Sequence, residues 1–213
     1  MSVIDDLKEA VIDGQLSRAT QLTREAVANG VLPDTLFSES LAPAMEEVGR
    51  RMQRNEYYIP EVLVAAKTMK ASAEILKPLI VQSGTGRSRG KVVLGTVKGD
   101  LHDIGKNLVA MMLEGAGFDV IDLGYDVPAD KFVELVREVK PQVLGMSALL
   151  TTTMLQMGKV VQALESAGLR DQVKVMVGGA PVTQSFANEI GADGYGVDSA
   201  SAAELAKAWT AAG

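Results

Sequence analysis

The chain has 213 residues, 47% of them hydrophobic, and a formal net charge of -6. That apolar share is ample for one large domain or two small ones, and the acidic balance, with no basic stripe or block of like charge, excludes a nucleic-acid binder that works by gathering phosphates. With no cysteine and one histidine, disulfides, thiolate zinc sites and iron-sulfur clusters are ruled out, so any metal is held by nitrogen, by oxygen or inside a cofactor.

The opening residues, Met1-Ser2-Val3-Ile4-Asp5-Asp6-Leu7-Lys8, lack the basic start and continuous apolar run of a signal peptide. No stretch reaches the roughly 20 apolar residues of a membrane span, so a cytoplasmic protein without a membrane partner is expected. Up to residue 82 the apolar positions recur at helical spacing. Ser2 is a plausible cap for a first helix carrying Leu7 and Val11, with Asp5 three residues on. A second helix runs from Leu16 to the Asn29-Gly30 stop, with Leu22 and Ala26 on one face. A third follows Pro33-Asp34 with Leu41, Met45, Val48 and Met52, and a fourth starts near Pro60 with Leu63, Ala66, Met69, Ala73 and Leu76. Four helices with short connections predict an antiparallel bundle.

Residues 83–90 hold no apolar side chain and are rich in glycine and serine, which is linker composition and predicts a domain boundary. From residue 91 to 213 short apolar runs alternate with helical stretches: strands near Val92-Val93-Leu94-Gly95, Asp119 to Leu123, Val143 to Met146, Val173 to Val177 and Gly194-Tyr195, with helices between them and a last one to Trp209. The predicted fold class is α/β, a four-helix bundle over residues 1–82 followed by a flavodoxin-like, doubly wound, parallel five-stranded sheet. Such sheets bind ligands at the carboxyl ends of their strands.

The loop after the first strand reads Gly99-Asp100-Leu101-His102-Asp103-Ile104-Gly105-Lys106-Asn107. It is not a phosphate loop, which needs four residues between its glycine and Gly-Lys and then a Ser or Thr; here five intervene and Asn107 follows. Nor does a Gly-x-Gly-x-x-Gly dinucleotide fingerprint appear. The pattern is Asp-x-His-x-x-Gly. An imidazole on such a loop can ligate a metal through one ring nitrogen while the other donates to a carboxylate, here Asp100, that fixes its orientation and raises its basicity. Gly105 would let a bulky planar ligand approach the next helix. A lone polar loop histidine is the plainer alternative.

Residues 99–107 resemble the signature loop of the cobalamin-binding domain shared by methionine synthase, corrinoid methyl carriers and some cobalamin-dependent mutases. The resemblance implies that His102 displaces the cofactor's own base and becomes the lower axial ligand of cobalt, with Gly99, Asp100, Leu101, Asp103, Ile104 and Gly105 around it. Ser147-Ala148-Leu149-Leu150-Thr151-Thr152-Thr153 matches the family's Ser-x-Leu motif, implying that Ser147 hydrogen-bonds the displaced base, Leu149 lines its pocket and Thr151 contacts the nucleotide tail. Thr153 falls where methionine synthase has a serine, completing a ligand set with Asp100 and His102. Helix capping by Thr151 or Thr152 is the structural alternative for this run. Gly178-Gly179 matches the family's double glycine, which admits the tail, and residues 191–198, with Tyr195, Gly196 and Asp198, resemble its closing loop.

The helical region resembles the bundle that covers the upper face of the cofactor in methionine synthase and in small corrinoid proteins. Tyr58 stands where methionine synthase has a capping phenylalanine. The implied protein is no enzyme in itself. It carries a methyl group on cobalamin or a related corrinoid, methylcobalamin when loaded, between a substrate-specific methyltransferase and a corrinoid:acceptor methyltransferase acting on a pterin or thiol, with a reductive activase as a further partner. A cobalamin-dependent sensor or antirepressor and the small subunit of a cobalamin-dependent mutase are the alternatives; the first lacks a DNA-binding module here, and the second would not need a helical cap.

Overall fold

In the computed structural model, which describes residues 2–83 and 88–211, the chain divides into two units, Met1–Arg87 and Ser88–Gly213. Residues 84–87 of the linker expected over 83–90 lie outside the described residues.

The first unit is helical. Helix α1 (Val3–Ile12) starts with a reciprocal cap: the Ser2 hydroxyl accepts the Asp5 N–H at 3.2 Å and the Asp5 carboxylate accepts the Ser2 N–H at 3.2 Å. Helix α2 (Leu16–Ala28) follows. The third expected helix is continuous but not uniform, since α3 (Pro33–Leu36) passes through a π-helical turn (Phe37–Leu41) into α4 (Ala42–Gln53). Helix α5 (Ile59–Ser83) is the longest and carries Pro78 inside it. Leu7, Val11, Leu36, Leu41, Met45, Val48, Val62, Met69 and Leu76 are buried in this unit's core.

The expected faces of α1 and α4 are largely buried, whereas on α2 and α5 the buried stripe is turned slightly from the expected one. On α5 the stripe is Val62, Ala65, Ala66, Thr68, Met69, Ser72 and Leu76, while Leu63 and Ala73 are half-buried. On α2 it is Ala19, Thr23 and Ala26, with Leu22 half-buried. Small side chains let helices approach closely, and the buried hydroxyls of Thr23 and Thr68 bond back to the carbonyls of Ala19 and Val64 at 2.8 and 2.9 Å.

The second unit is a five-stranded, all-parallel sheet of order β2-β1-β3-β4-β5. Its strands are β1 (Lys91–Thr96), β2 (Asp119–Asp122), β3 (Val143–Ser147), β4 (Lys174–Gly178) and β5 (Gly194–Gly196). The central strands β1, β3 and β4 are nearly continuous in burial, as strands covered on both faces must be, whereas edge strand β2 is not. Helices α6 (Ile104–Gly115) and α10 (Ser199–Thr210) pack together. Side chains of α7 (Ala129–Val139), α8 (Thr151–Ser166) and α9 (Gln184–Glu189) share one core with Val93, Leu144, Val175 and Val177 of the sheet. Phe132, fully buried there, is worth about 1.5–3 kcal/mol relative to an exposed ring.

This order places a reversal between β1 and β3: the chain leaves β1 toward β2 and returns on the other side to β3. Loops that follow strands on either side of such a reversal diverge and leave a crevice at the carboxyl end of the sheet. The loops after β1 and β3 are the ones that carry the sequence motifs.

Candidate functional site

Asp100 spans that crevice. Its side chain is fully buried, at the end of a tight turn in which Gly99 has a φ of +83° and the Asp100 N–H donates to the Val97 carbonyl at 3.1 Å. A buried carboxylate must be supplied with donors, and Asp100 receives them from both loops. Oδ1 accepts the His102 backbone N–H at 3.0 Å and lies 2.8 Å from His102 Nδ1. Oδ2 accepts the Leu149 N–H at 2.8 Å, the Leu150 N–H at 3.4 Å and the Thr153 hydroxyl at 2.5 Å. Burial alone would raise its pKa, but the bonds from Thr153, Leu149 and His102 outweigh it and hold the carboxyl well below the usual carboxylate range.

An ionised carboxylate only accepts, so Nδ1 is the donor and Nε2 is the nitrogen left for a ligand. The His102 side chain is 51% exposed, and among the described residues Nε2 makes no hydrogen bond. The Thr96 hydroxyl donates to the His102 carbonyl at 3.1 Å, fixing the backbone of the same residue.

The other residues singled out in the sequence fall into two groups. Leu101 and Ile104 are exposed on the His102 loop, Asp103 caps the start of α6 by backbone position, and Leu149 is half-exposed after β3. Ser147 ends β3, half-buried, and Thr151 opens α8 at the surface. Neither Thr151 nor Thr152 caps that helix, whose cap position is Leu150. The second group also makes contacts within the fold. The Asp198 carboxylate accepts the Ser201 N–H at 2.7 Å in a capping box that opens α10; Tyr195 packs half-buried against the sheet core. Gly178 and Gly196 pair across β4 and β5.

Two glycines illustrate different demands. At Gly179 φ is +127° and a Cβ would sit 1.8 Å from the Ala148 carbonyl oxygen, so the polypeptide itself requires glycine there. At Gly105 φ is not positive and a Cβ would meet nothing within 4 Å. Neither backbone nor packing demands that glycine, which leaves room for something outside the polypeptide.

Sequence reasoning missed the apolar rim of this site. The exposed large hydrophobic residues of the second unit are Leu101, Ile104, Tyr125, Leu149, Leu150, Leu155 and Val197. All follow the carboxyl ends of β1, β2, β3 or β5 or lie in the first turns of the helices that begin there. Leu150 and Val197 lie within the sequence motifs without a role of their own, and Tyr125 and Leu155 lie outside them; for Tyr125, Leu150 and Val197 the signal is a large apolar residue within a few positions of a strand end, where loops are ordinarily polar. Surfaces of this kind fit a broad, flat, apolar ligand. Among the described residues no group of three or more His, Asp and Glu side chains is arranged to hold a metal ion. A metal that brings its own ring of donors and takes one nitrogen from His102 therefore fits these residues, and a corrinoid is such a group.

Tyr58 belongs to the helical unit. It is 63% exposed, and its backbone N–H donates to Glu61 Oε2 at 2.9 Å, capping α5.

The B12 binding domain family matches residues 90–204, and a second B12 binding domain family matches residues 3–77. Trimethylamine corrinoid protein 1 of Methanosarcina acetivorans is 46% identical over 195 residues, covering 91% of this chain and 90% of that protein. The dimethylamine corrinoid protein of Methanosarcina barkeri is 43% identical over 206 residues, 96% of each. Among solved structures, a chain of the methanol:cobalamin methyltransferase complex MtaBC from Methanosarcina barkeri is similar with a TM-score of 0.87 and 31% identity, over 99% of this chain and 80% of that one. With its buried carboxylate, half-exposed imidazole and apolar rim on a parallel sheet, the chain belongs to the family of corrinoid methyl-carrier proteins built on the B12 binding domain.

Proposed function

We propose that this protein carries a methyl group from a substrate-specific methyltransferase to a second methyltransferase that acts on a pterin or thiol, with a reductive activase as an occasional partner. Relatives named for trimethylamine and dimethylamine support a methylated amine as the donor class. A solved relative in a methanol:cobalamin methyltransferase complex supports direct docking of a methyltransferase.

When bound, the corrinoid supplies a cobalt centre that accepts and releases the methyl group. His102 would hold the metal through Nε2, and Asp100, held by Thr153 and the Leu149 N–H, keeps the ring in the orientation and tautomer that leave Nε2 free to be the ligand. Leu101 and Ile104 give the ring an apolar seat, and Gly105 keeps the start of α6 clear. Ser147, Leu149 and Thr151, with Gly178, Gly179 and the segment containing Tyr195, Gly196 and Asp198, are assigned to the displaced base and its tail. Residues 1–82 are assigned as the helical domain that would cap the corrinoid, with Tyr58 as a cap residue, residues 83–90 as a flexible linker and residues 91–213 as the cofactor domain.

The observation that carries this reading is that Asp100 occupies Nδ1 of a half-exposed imidazole inside an apolar rim. The test is electron paramagnetic resonance of the protein reconstituted with cobalamin in the cobalt(II) state. The expected result is splitting by a protein nitrogen that disappears in His102→Ala; the same splitting in the variant would overturn the assignment.

A further inference from the structure

Lys106 is buried, with 3% of its side chain exposed, in the first turn of α6. A cation in that place is disfavoured twice over, by loss of hydration and by the positive end of the helix dipole. Its compensation is a set of contacts to Asn107 of the same loop and to Asp122 of β2. The Lys106 ammonium forms a short ion pair with Asp122 Oδ2 at the end of β2 and donates to Asn107 Oδ1 at 2.7 Å. Asn107 Nδ2 in turn donates to Asp103 Oδ2 at 3.1 Å, so the Asp103 carboxylate, beside His102, is tied to Asn107 and does not cap the helix. Asp122 is itself fixed, since its Oδ1 accepts the Gly124 N–H at 2.8 Å.

The same β2 loop grips the other side of the histidine. Asp126, at a φ of +54°, accepts the Gly99 N–H on Oδ1 at 2.7 Å and donates its own N–H to the Asp100 carbonyl at 3.0 Å. The His102 segment is therefore held at both ends by residues 122–126, through Asp126 on one side and the chain Asp122, Lys106, Asn107 and Asp103 on the other.

We propose that Lys106, itself buried and ion-paired with the partly exposed Asp122, is a positioning residue for His102, setting how closely the imidazole is presented to the metal. Asp100 fixes the rotation of the ring; the Lys106 and Asp122 pair fixes the height of the loop that bears it. The proposal rests on the assignment of His102 as cobalt ligand, and its test separates the two.

Lys106→Met and Asp122→Asn remove the ion pair from either side, and Met112→Ala on the same helix serves as a control that disturbs packing alone. Two quantities are measured on the full chain. The first, without cofactor, is the nitrogen-15 spectrum of the imidazole, which is unambiguous because the sequence holds one histidine. The second, with cobalamin bound, is the ratio of histidine-ligated to unligated cobalt(II) by electron paramagnetic resonance. In Lys106→Met the ratio is expected to fall at least tenfold and Nδ1 to lose part of the shift that its bond to Asp100 produces. Asp122→Asn is expected to act in the same direction and less strongly, and Met112→Ala to leave both readings unchanged. A folded Asp122→Asn protein with wild-type values of both readings overturns the proposal, whether or not Lys106→Met folds. If wild-type protein shows no nitrogen splitting, the ligand assignment falls instead, and the cofactor-free imidazole spectra still decide whether the ion pair positions the ring.

Discussion

Thr153 Oγ1 lies 2.5 Å from Asp100 Oδ2, a contact between residues 53 apart in sequence that joins the loop after β1 to the first turn of α8. It closes the reversal point of the sheet with a hydrogen bond to a charged acceptor, the stronger kind. Thr153→Ala leaves the buried carboxylate one donor short and is expected to destabilise the cofactor-free protein by about 1–3 kcal/mol. Thr153→Ser, which keeps the hydroxyl, should lose less than half as much. Urea denaturation of both variants at pH 7 measures the difference; equal losses would show that the methyl group, not the hydroxyl, is what matters at this position.

Gly105→Ala and Gly179→Ala separate a glycine that neither backbone nor packing demands from one that the polypeptide requires. At Gly179 the new Cβ would collide with the Ala148 carbonyl and φ is positive, so a loss of several kcal/mol is expected, at about the upper end for single substitutions. At Gly105 alanine is the better helix former and should raise cofactor-free stability by about 0.4–1 kcal/mol. Thermal melts report the first effect. Cobalamin titration of Gly105→Ala should then show at least tenfold weaker binding despite the stabler fold.

Asp193 gives a pH dependence remote from the site. Burial raises its pKa, but the Val175 N–H at 2.8 Å, Lys174 at 3.0 Å and Arg170 at 2.7 Å outweigh burial and lower it. A carboxylate whose pKa is depressed by folding contributes stability that is complete above the unfolded value of about 3.9 and is lost as pH falls through the folded value. Asp193→Asn should therefore cost about 1–3 kcal/mol near neutrality, and the gap between variant and parent should close below pH about 4. A gap that stays constant on acidification would show that the carboxylate's charge contributes nothing.

In the helical unit, the buried hydroxyl oxygens of Ser40 and Ser72 make no hydrogen bond among the described residues. A hydroxyl stripped of water and left unpaired costs about 1–3 kcal/mol. Ser72→Ala removes that penalty with little change in volume and is expected to raise stability by about 1 kcal/mol, read from the urea midpoint. A loss of stability would reveal a partner for this oxygen.

Much of the second unit was legible because its signals are local. Valine-rich runs such as Val92 to Leu94 and Val143 to Leu144 are buried on both faces and read as strands without context, and the order of strands and helices left a parallel sheet as the outcome. Asp100, His102 and Thr153 were nameable because each sits in a motif of fixed spacing. The Lys106 and Asp122 pair was not, since 16 residues separate them and nothing in either neighbourhood announces the other. Asp198 illustrates the opposite difficulty: its place in a loop resembling a cofactor-binding one says nothing of the capping box it forms with Ser201, which only the contacts reveal. In the helices, spacing located the elements and most of the core, Leu7, Val11, Leu41, Met45, Val48, Ala66, Met69 and Leu76 among it, but on α2 and α5 part of the expected stripe lies at the edge of the buried face. Close helix contacts favoured Ala19, Ala65 and Ser72 over Leu22, Leu63 and Ala73. The π-helical turn at Phe37–Leu41 carries no proline or glycine to mark it.

The rim formed by Leu101, Ile104, Tyr125, Leu149, Leu150, Leu155 and Val197 also bears on how such a protein is handled before it is loaded. The buried Asp100 carboxylate draws its donors from the polypeptide itself, while the rim leaves exposed apolar side chains of the kind that draw proteins together. Solubility then becomes a property of the loaded form: purified without cofactor, the chain should self-associate as its concentration rises, and adding a corrinoid should return it to a dispersed state.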